Sequence, residues 1–392
     1  MRTMRILNHL FSNDLCSIHA ARLKAIFFGV EALLSGGRLS LTALGRAAVG
    51  TVSPKHNIKR IDRLLGNRYL DEDRLRICRA IATQLVGQQE RPMLLVDWTL
   101  IGDNHNALVA AIARDGRALT VYFEVHPRSM LSNRAVEHGF VERLRDVLPK
   151  GCRPTLVTDA GFRNPWLAKV ASMGWDYVAR LTTWVLIKTS PDGDWTKAPC
   201  VERLARNEPL DLGHCQVSRR STMTHRVVVS KRFTRNPRRA TQKRSDGYRG
   251  RGNRQIRRRS QTPWLLATTR TDLSAAQLCR CYATRMQIEE VFRDTKNPRF
   301  GWSFAHARSR CAHRHAVLLL LAALAAWVLT VVGLAAEHSQ LHLRYQANTI
   351  RRRRVLSLFH LGKTIVARAR PSEIAHLNLF SAAEGLSCYE II

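Results

Sequence analysis

The chain has 392 residues, 45% of them hydrophobic, enough for two or three domains with sizeable cores. Its formal charge of +33 excludes a preference for cationic partners and asks for a polyanion: nucleic acid first, an anionic membrane surface second. Nine cysteines, an odd number without the spacing of a disulfide framework, exclude a small secreted scaffold and point to a reduced, cytoplasmic protein.

The opening MRTMRILNHLF is too short and too polar to read as a signal peptide. Residues 15–35 predict a helix, with Leu23, Ile26, Phe27, Val30 and Leu34 on one stripe, and residues 39–48 predict a second, short one. A third follows: Ser53 can cap it, Pro54 suits its first turn and Gly66 can end it. Ile58, Ile61, Leu64 and Leu65 give that helix an inner face, and Lys55, Lys59, Arg60 and Arg63 lie elsewhere around it. The pattern fits a helix-turn-helix-like element offering basic residues to DNA, against the plainer reading of an ordinary basic surface helix.

The polar VGQQERP at 86–92 marks a domain boundary, after which the hydrophobic period changes. MLLVDWTL, ALVAAIA at 107–113 and ALTVYFEV at 118–125 read as a three-strand antiparallel meander, with a turn at Arg114, Asp115 and Gly116. A helix over 133–147, a strand in PTLVTDAG ending at Asp159, a helix over 164–173 and a strand over 175–181 complete the order β-β-β-α-β-α-β. That is the core order of the ribonuclease-H-like fold, in which the first and fourth strands are neighbours.

From 182 to 262 the pattern loosens, with short strands at 184–188 and 225–233. Residues 231–259 hold thirteen Lys or Arg and one acid, Asp246; this polybasic segment reads as a nucleic-acid contact within a β-rich insertion. PWLLATT at 263–269 is a strand, and Ser274 can cap the helix after it. Residues 316–336 are uncharged and long enough to cross a bilayer, yet rich in alanine and alone in the chain. A buried helix is the better reading, with no membrane partner. Cys311, His313 and His315 lack a second ligand pair at zinc spacing, so no metal is assigned to them.

YATRMQIEEVFRDTK at 282–296 contains no Gly or Pro and reads as one continuous helix. At roughly 100° per residue, Tyr282, Arg285, Glu289 and Lys296 fall within an arc of about 60°. In isolation such a face is an ordinary solvated surface. Asp97 in an apolar strand and Asp159 at a strand's end change the odds. An unpaired carboxylate is costly to bury, so Asp97 needs a partner. With Glu289, the two aspartates make a set of oxygen ligands suited to two Mg²⁺ ions, with Mn²⁺ as a substitute, and to in-line phosphoryl transfer on DNA.

These motifs carry a resemblance. HNIKRIDRLLGNR, LLVDW, DAGF-x-x-PW, RMQIEE-x-FRD and QANT-x-R at 346–351, together with an ungapped Y-x₂-R-x₃-E-x₆-K, resemble the DDE transposases of bacterial insertion sequences. The likeness is to the fourth insertion-sequence family, in the branch that includes the transposase of the tetracycline-resistance composite transposon. It implies a catalytic triad of Asp97, Asp159 and Glu289, and DNA contacts by Tyr282, Arg285 and Lys296. It also implies cut-and-paste transposition by nicking, hairpin formation, hairpin opening and strand transfer at terminal inverted repeats. The partner would be double-stranded DNA, both element ends and target, held by a homodimer in a synaptic complex. A nucleoid-associated place in the cytoplasm follows. Trp264 stands where such enzymes stack a flipped base, and Met286 stands where a sister branch has a second Trp.

The expected architecture is α/β. A ribonuclease-H-like core with a mixed five-stranded sheet (89–182 and 263–335) is interrupted by the β-rich basic insertion (183–262). It is flanked by a helical DNA-end-binding domain (1–88) and a C-terminal helical region (336–392), a candidate for dimer contacts. The rival readings are a nuclease that cuts without joining, and a DNA-binding repressor on an inactive transposase scaffold.

Overall fold

The computed structural model describes residues 7, 15–114, 116–231, 263–299, 301–346 and 349–386. Asp115, most of the polybasic run and Ala347 and Asn348 of the QANT stretch lie outside them. In chain order the first helices are α1 (Ala20–Leu34), α2 (Leu41–Ala47), α3 (Pro54–Gly66) and α4 (Leu70–Val86). Then come β1 (Met93–Ile101), β2 (His105–Arg114), β3 (Arg117–Pro127), α5 (Arg134–Val147), β4 (Thr155–Thr158), α6 (Asn164–Ser172) and β5 (Asp176–Arg180). Next are β6 (Leu186–Lys188), β7 (Thr196–Lys197), α7 (Ala198–Glu202), β8 (Leu210–Val217), β9 (Met223–Ser230) and β10 (Trp264–Thr268). The chain continues with α8 (Ala275–Ala283), α9 (Met286–Lys296), α10 (Ala312–His338), α11 (His342–Tyr345), α12 (Leu358–Arg368), α13 (Pro371–Ala375) and α14 (Leu379–Gly385). Strands and helices follow the β-β-β-α-β-α-β order through β5.

The chain divides into two compact units, one of residues 1–152 and 286–391, the other of residues 153–285. In the first, β1, β2 and β3 form an antiparallel meander, with Asp97 opposite Val109 and Val109 opposite Phe123. A bulge at Ala110 and Ala111 turns Thr120 to the same face as Phe123. That face packs against α9 and α10. Helix α10 is long and apolar enough to cross a membrane by length and composition, and 89% of its most apolar window is buried inside protein. Its buried residues run right round the helix, as expected for the centre of a core. Gly333 of α10 and Gly362 of α12 let the two helices cross with backbones in contact; a Cβ at either would overlap a carbonyl of the other helix.

Among the N-terminal helices, Gly45 of α2 lies directly against the backbone of Ile58 in α3. Ile61, Leu64 and Leu65 are buried, and Ile58 is half-buried. The expected cap at Ser53 does not form. Its hydroxyl meets His56 Nδ1 at 2.8 Å instead of a backbone amide, which uses up the capping oxygen. Asn133 does cap α5, accepting from the amides of Ala135 and Val136.

In the second unit, β4 and β5 pair in parallel, and β5 pairs antiparallel with β10. Beyond β10 the sheet continues through β9, β8, β6 and β7. The strands β6 to β9 therefore extend this sheet, and a core of Ile187, Val201, Cys215, Val217, Val227 and Val229 with Leu265 of β10 packs there.

Candidate functional site

Residues 282–296 are not one helix. Helix α8 ends at Ala283 and α9 begins at Met286, so Tyr282 and Arg285 belong to one compact unit and Glu289 and Lys296 to the other. The break needs no Gly or Pro. Thr284 Oγ1 donates to the Cys281 carbonyl at 2.7 Å, and the amides of Thr284 and Arg285 bond three residues back rather than four. Ser274 caps α8 in a capping box with Gln277, not the helix that carries Glu289.

In the first unit Asp97 lies in β1 with only 8% of its surface exposed. Thr99 shares its face, two residues on. Lys296 Nζ donates to Thr99 Oγ1 at 2.6 Å. Burial lowers the pKa of Lys296 and the Asp97 charge opposes that shift, so the ammonium lies within reach of the carboxylate's field. Glu289 is half-buried on the stripe of α9 that also holds Phe292 and Lys296, spaced i, i+3, i+7. Helix α9 is fastened to the meander at both ends. Gln287 Oε1 accepts from the Arg114 amide at 3.0 Å, and Arg117 Nε donates to Asp294 at 2.6 Å. The neighbour Glu290 is held by Arg293 and Arg117.

In the second unit Asp159 follows the last residue of β4. Its Oδ1 accepts from the Gly161 amide at 2.8 Å, and its Oδ2 lies 3.7 Å from Arg285 Nη2. The side chain is 39% exposed. A Cβ at position 161 would press on that carboxylate oxygen. Tyr282 is buried, and burial raises its pKa, with Arg285 and Arg180 pulling the other way. Its ring meets Trp264 edge to face at 5.0 Å. Trp264 is only 8% exposed, so its indole serves the interior here rather than solvent.

The family model described as the transposase DDE domain matches residues 88–328, well over half of the chain. The chain belongs to the DDE transposase domain family. The matched span contains Asp97, Asp159, Glu289 and all four residues of the Y-R-E-K spacing. No curated protein matches the chain. A transposase of this family acts on DNA, and DDE domains generally work with divalent metal ions. Among the described residues no three His, Cys, Asp or Glu side chains gather closely enough to hold an ion. The donor chemistry nevertheless fits a hard cation. Asp97, Asp159 and Glu289 offer oxygen only, and a side-chain cation attends each aspartate where a metal's charge would act.

The other DNA-contact residues expected from the sequence lie in α3. Lys55, Lys59 and Arg63 are exposed. Arg60 is partly engaged, its guanidinium 3.7 Å over the Phe28 ring. Cys311, His313 and His315 do not form a metal group: His313 bonds Asp71 at 2.9 Å, while His315 is buried against His105 and Phe304. Two residues beside the candidate residues are not among those expected from the sequence. Thr99 anchors Lys296, and its position two residues after Asp97 on a strand was the available signal. Arg180 acts on Tyr282, and no spacing announces it.

Proposed function

We propose that this DDE transposase moves an insertion sequence of the fourth insertion-sequence family by cut and paste. Nicking, hairpin formation, hairpin opening and strand transfer at terminal inverted repeats are the proposed steps. Asp97, Asp159 and Glu289 are the proposed catalytic carboxylates, and they would be the ligands of two Mg²⁺ ions. When bound, Mg²⁺ supplies Lewis acidity to the attacking and leaving oxygens. The observation that carries this reading is the pairing of motif cations with distant acids. Lys296 lies by Asp97 and Arg285 by Asp159, although the cations stand 199 and 126 positions further along the chain. Casual surface charges have no reason to supply one cation to each aspartate.

In this reading the carboxylates hold the ions, while Arg285 and Lys296 neutralise phosphates beside the cut. Exposed Lys55, Lys59 and Arg63 bind the element end together with Arg60. A homodimer pairs the two ends, and the protein works in the cytoplasm at the nucleoid.

The test uses purified protein and a duplex carrying the element end. Asp97→Ala, Asp159→Ala and Glu289→Ala should each abolish nicking in Mg²⁺ while retaining end binding. A variant that still nicks removes its residue from the triad. A wild-type chain that binds ends without cutting them in Mg²⁺ or Mn²⁺ would leave only a DNA-binding role.

A further inference from the structure

Trp184 is 92% exposed, more than any other large hydrophobic residue among the described ones. A single exposed apolar residue needs no explanation by itself, so the setting of this indole decides what it can bind. The sequence pattern puts Trp184 in a strand; the structure puts it in a tight turn before β6. The Val185 amide bonds the Thr182 carbonyl at 3.3 Å, closing the turn with Trp184 in its third place. The turn's stem is fixed on both sides. Leu181 N donates to Leu265 O at 2.8 Å, and Ala198 N donates to Val185 O at 3.0 Å. The indole is thus presented from an ordered base, so its immobilisation by a ligand costs little backbone entropy.

The surroundings choose the ligand. The only other exposed large hydrophobic residue described in this unit is Leu204, so there is no apolar patch of the kind a protein interface requires. From 177 to 191 the chain has Arg180 and Lys188 and no acid. Arg180, at the end of β5 and just before the turn, acts on Tyr282, which in turn feels the charge of Asp159. A lone indole in a turn between Arg180 and Lys188, just after the strand that pairs with β4, suits a nucleobase stacked beside its own phosphates. Trp264 cannot do this work in the same conformation, because its ring is packed on Tyr282.

We propose that Trp184 is a stacking platform for an unpaired DNA base on the Asp159 side of the site. It is a binding residue, and it rests on the proposed action on DNA ends. A fully paired duplex hides its base faces, so the platform is selective for DNA opened at a nick, an end or a hairpin tip. Stacking is tolerant of base identity, so the selectivity is for opened structure rather than sequence.

The experiment measures affinity by anisotropy for two fluorescein-labelled duplexes of one sequence, one fully paired and one with three unpaired thymines beside the cut position. The full-length wild type should prefer the opened duplex. Trp184→Ala should weaken that complex about tenfold and leave the paired one unchanged, and Trp184→Phe should restore most of the loss. The tryptophan emission of the wild type should fall on adding the opened duplex, and the fall should shrink in Trp184→Phe. Equal affinities of wild type and Trp184→Ala for the opened duplex would overturn the platform while leaving the transposase reading intact. Unchanged DNA affinity with altered sedimentation in the absence of DNA would also overturn it, assigning the indole to a protein partner. A wild type that binds neither duplex would overturn both readings.

Discussion

In the proposed reading Asp97 and Asp159 do the same work from opposite surroundings. Asp97 stands inside an apolar strand, almost wholly covered, with a half-buried ammonium for company. Asp159 stands at a strand's end, more than a third exposed, held by a backbone amide and a guanidinium. The first is positioned by the sheet itself and depends on Lys296 for its charge balance. The second is positioned by the turn at Gly161, and water already helps to solvate it. A carboxylate's role is thus not readable from its burial; what the two share is a cation from one short motif.

The same contrast recurs in two histidines. His225, in the second unit, is buried with both ring nitrogens bonded, to Tyr177 at 2.7 Å and Asn164 at 3.2 Å. His315, in the first, is buried with neither nitrogen bonded. Burial holds both well below the ordinary 6.5, at about 4.

The largest expected effect would break the comparison of the aspartates. Asp97→Asn and Asp159→Asn should each slow nicking by on the order of a thousandfold or more, in single-turnover assays on an end duplex. Their melting curves should differ. Asp97→Asn leaves a half-buried ammonium poorly compensated and should cost about 1–3 kcal/mol, and Asp159→Asn no more than ~1 kcal/mol. Equal melting losses would mean that exposure does not separate the two sites.

The histidines sharpen it through pH. The unfolded chain takes up a proton on His315 near pH 6.5 and the folded chain only near 4, so its stability is complete above 6.5 and falls between 6.5 and 4. That fall amounts to ~3 kcal/mol for a shift of this size. His315→Phe should remove most of it, measured as denaturant midpoints at pH 5 and pH 8. His225→Phe should instead lower stability at both pH values, because it strands the Tyr177 hydroxyl and Asn164.

A smaller effect isolates Lys296. Lys296→Met should lower the nicking rate about 10- to 100-fold and weaken end binding a few-fold, since it removes both the cation beside Asp97 and a proposed phosphate contact. The smallest separates the basic residues of α3. Lys59→Ala should reduce the slope of log affinity against log salt by roughly one and leave the melting temperature alone. Arg60→Ala should also cost up to ~1 kcal/mol of stability, because its guanidinium lies on Phe28.

Much of this was legible beforehand. The apolar runs that become the β1 to β3 meander, the helix beginning near Asn133, and the strand leading to Asp159 follow from side-chain pattern and turn chemistry. The break at Thr284 did not announce itself, because threonine disrupts a helix only when its hydroxyl turns back onto the chain, as it does on Cys281. Strand β8 was missed because LDLGHCQV carries a glycine and polar residues where a buried strand would be apolar. Trp184 was misplaced for the reverse reason: its turn contains no Gly, Pro, Asn or Asp, and an apolar run beside it reads as a strand. Arg180 and Thr99 gained their roles only through partners distant in sequence, which no local pattern encodes.

The crossing of α10 and α12 at Gly333 and Gly362 reaches beyond the fold. Helix α12 covers one side of the most apolar segment in the chain, so closely that no side chain fits between the two backbones at Gly333 and Gly362. A gene truncated before codon 358 would therefore yield a product with one side of a bilayer-length greasy rod uncovered. Such a shortened product would sediment with membranes or inclusion bodies, whatever the state of its candidate catalytic acids.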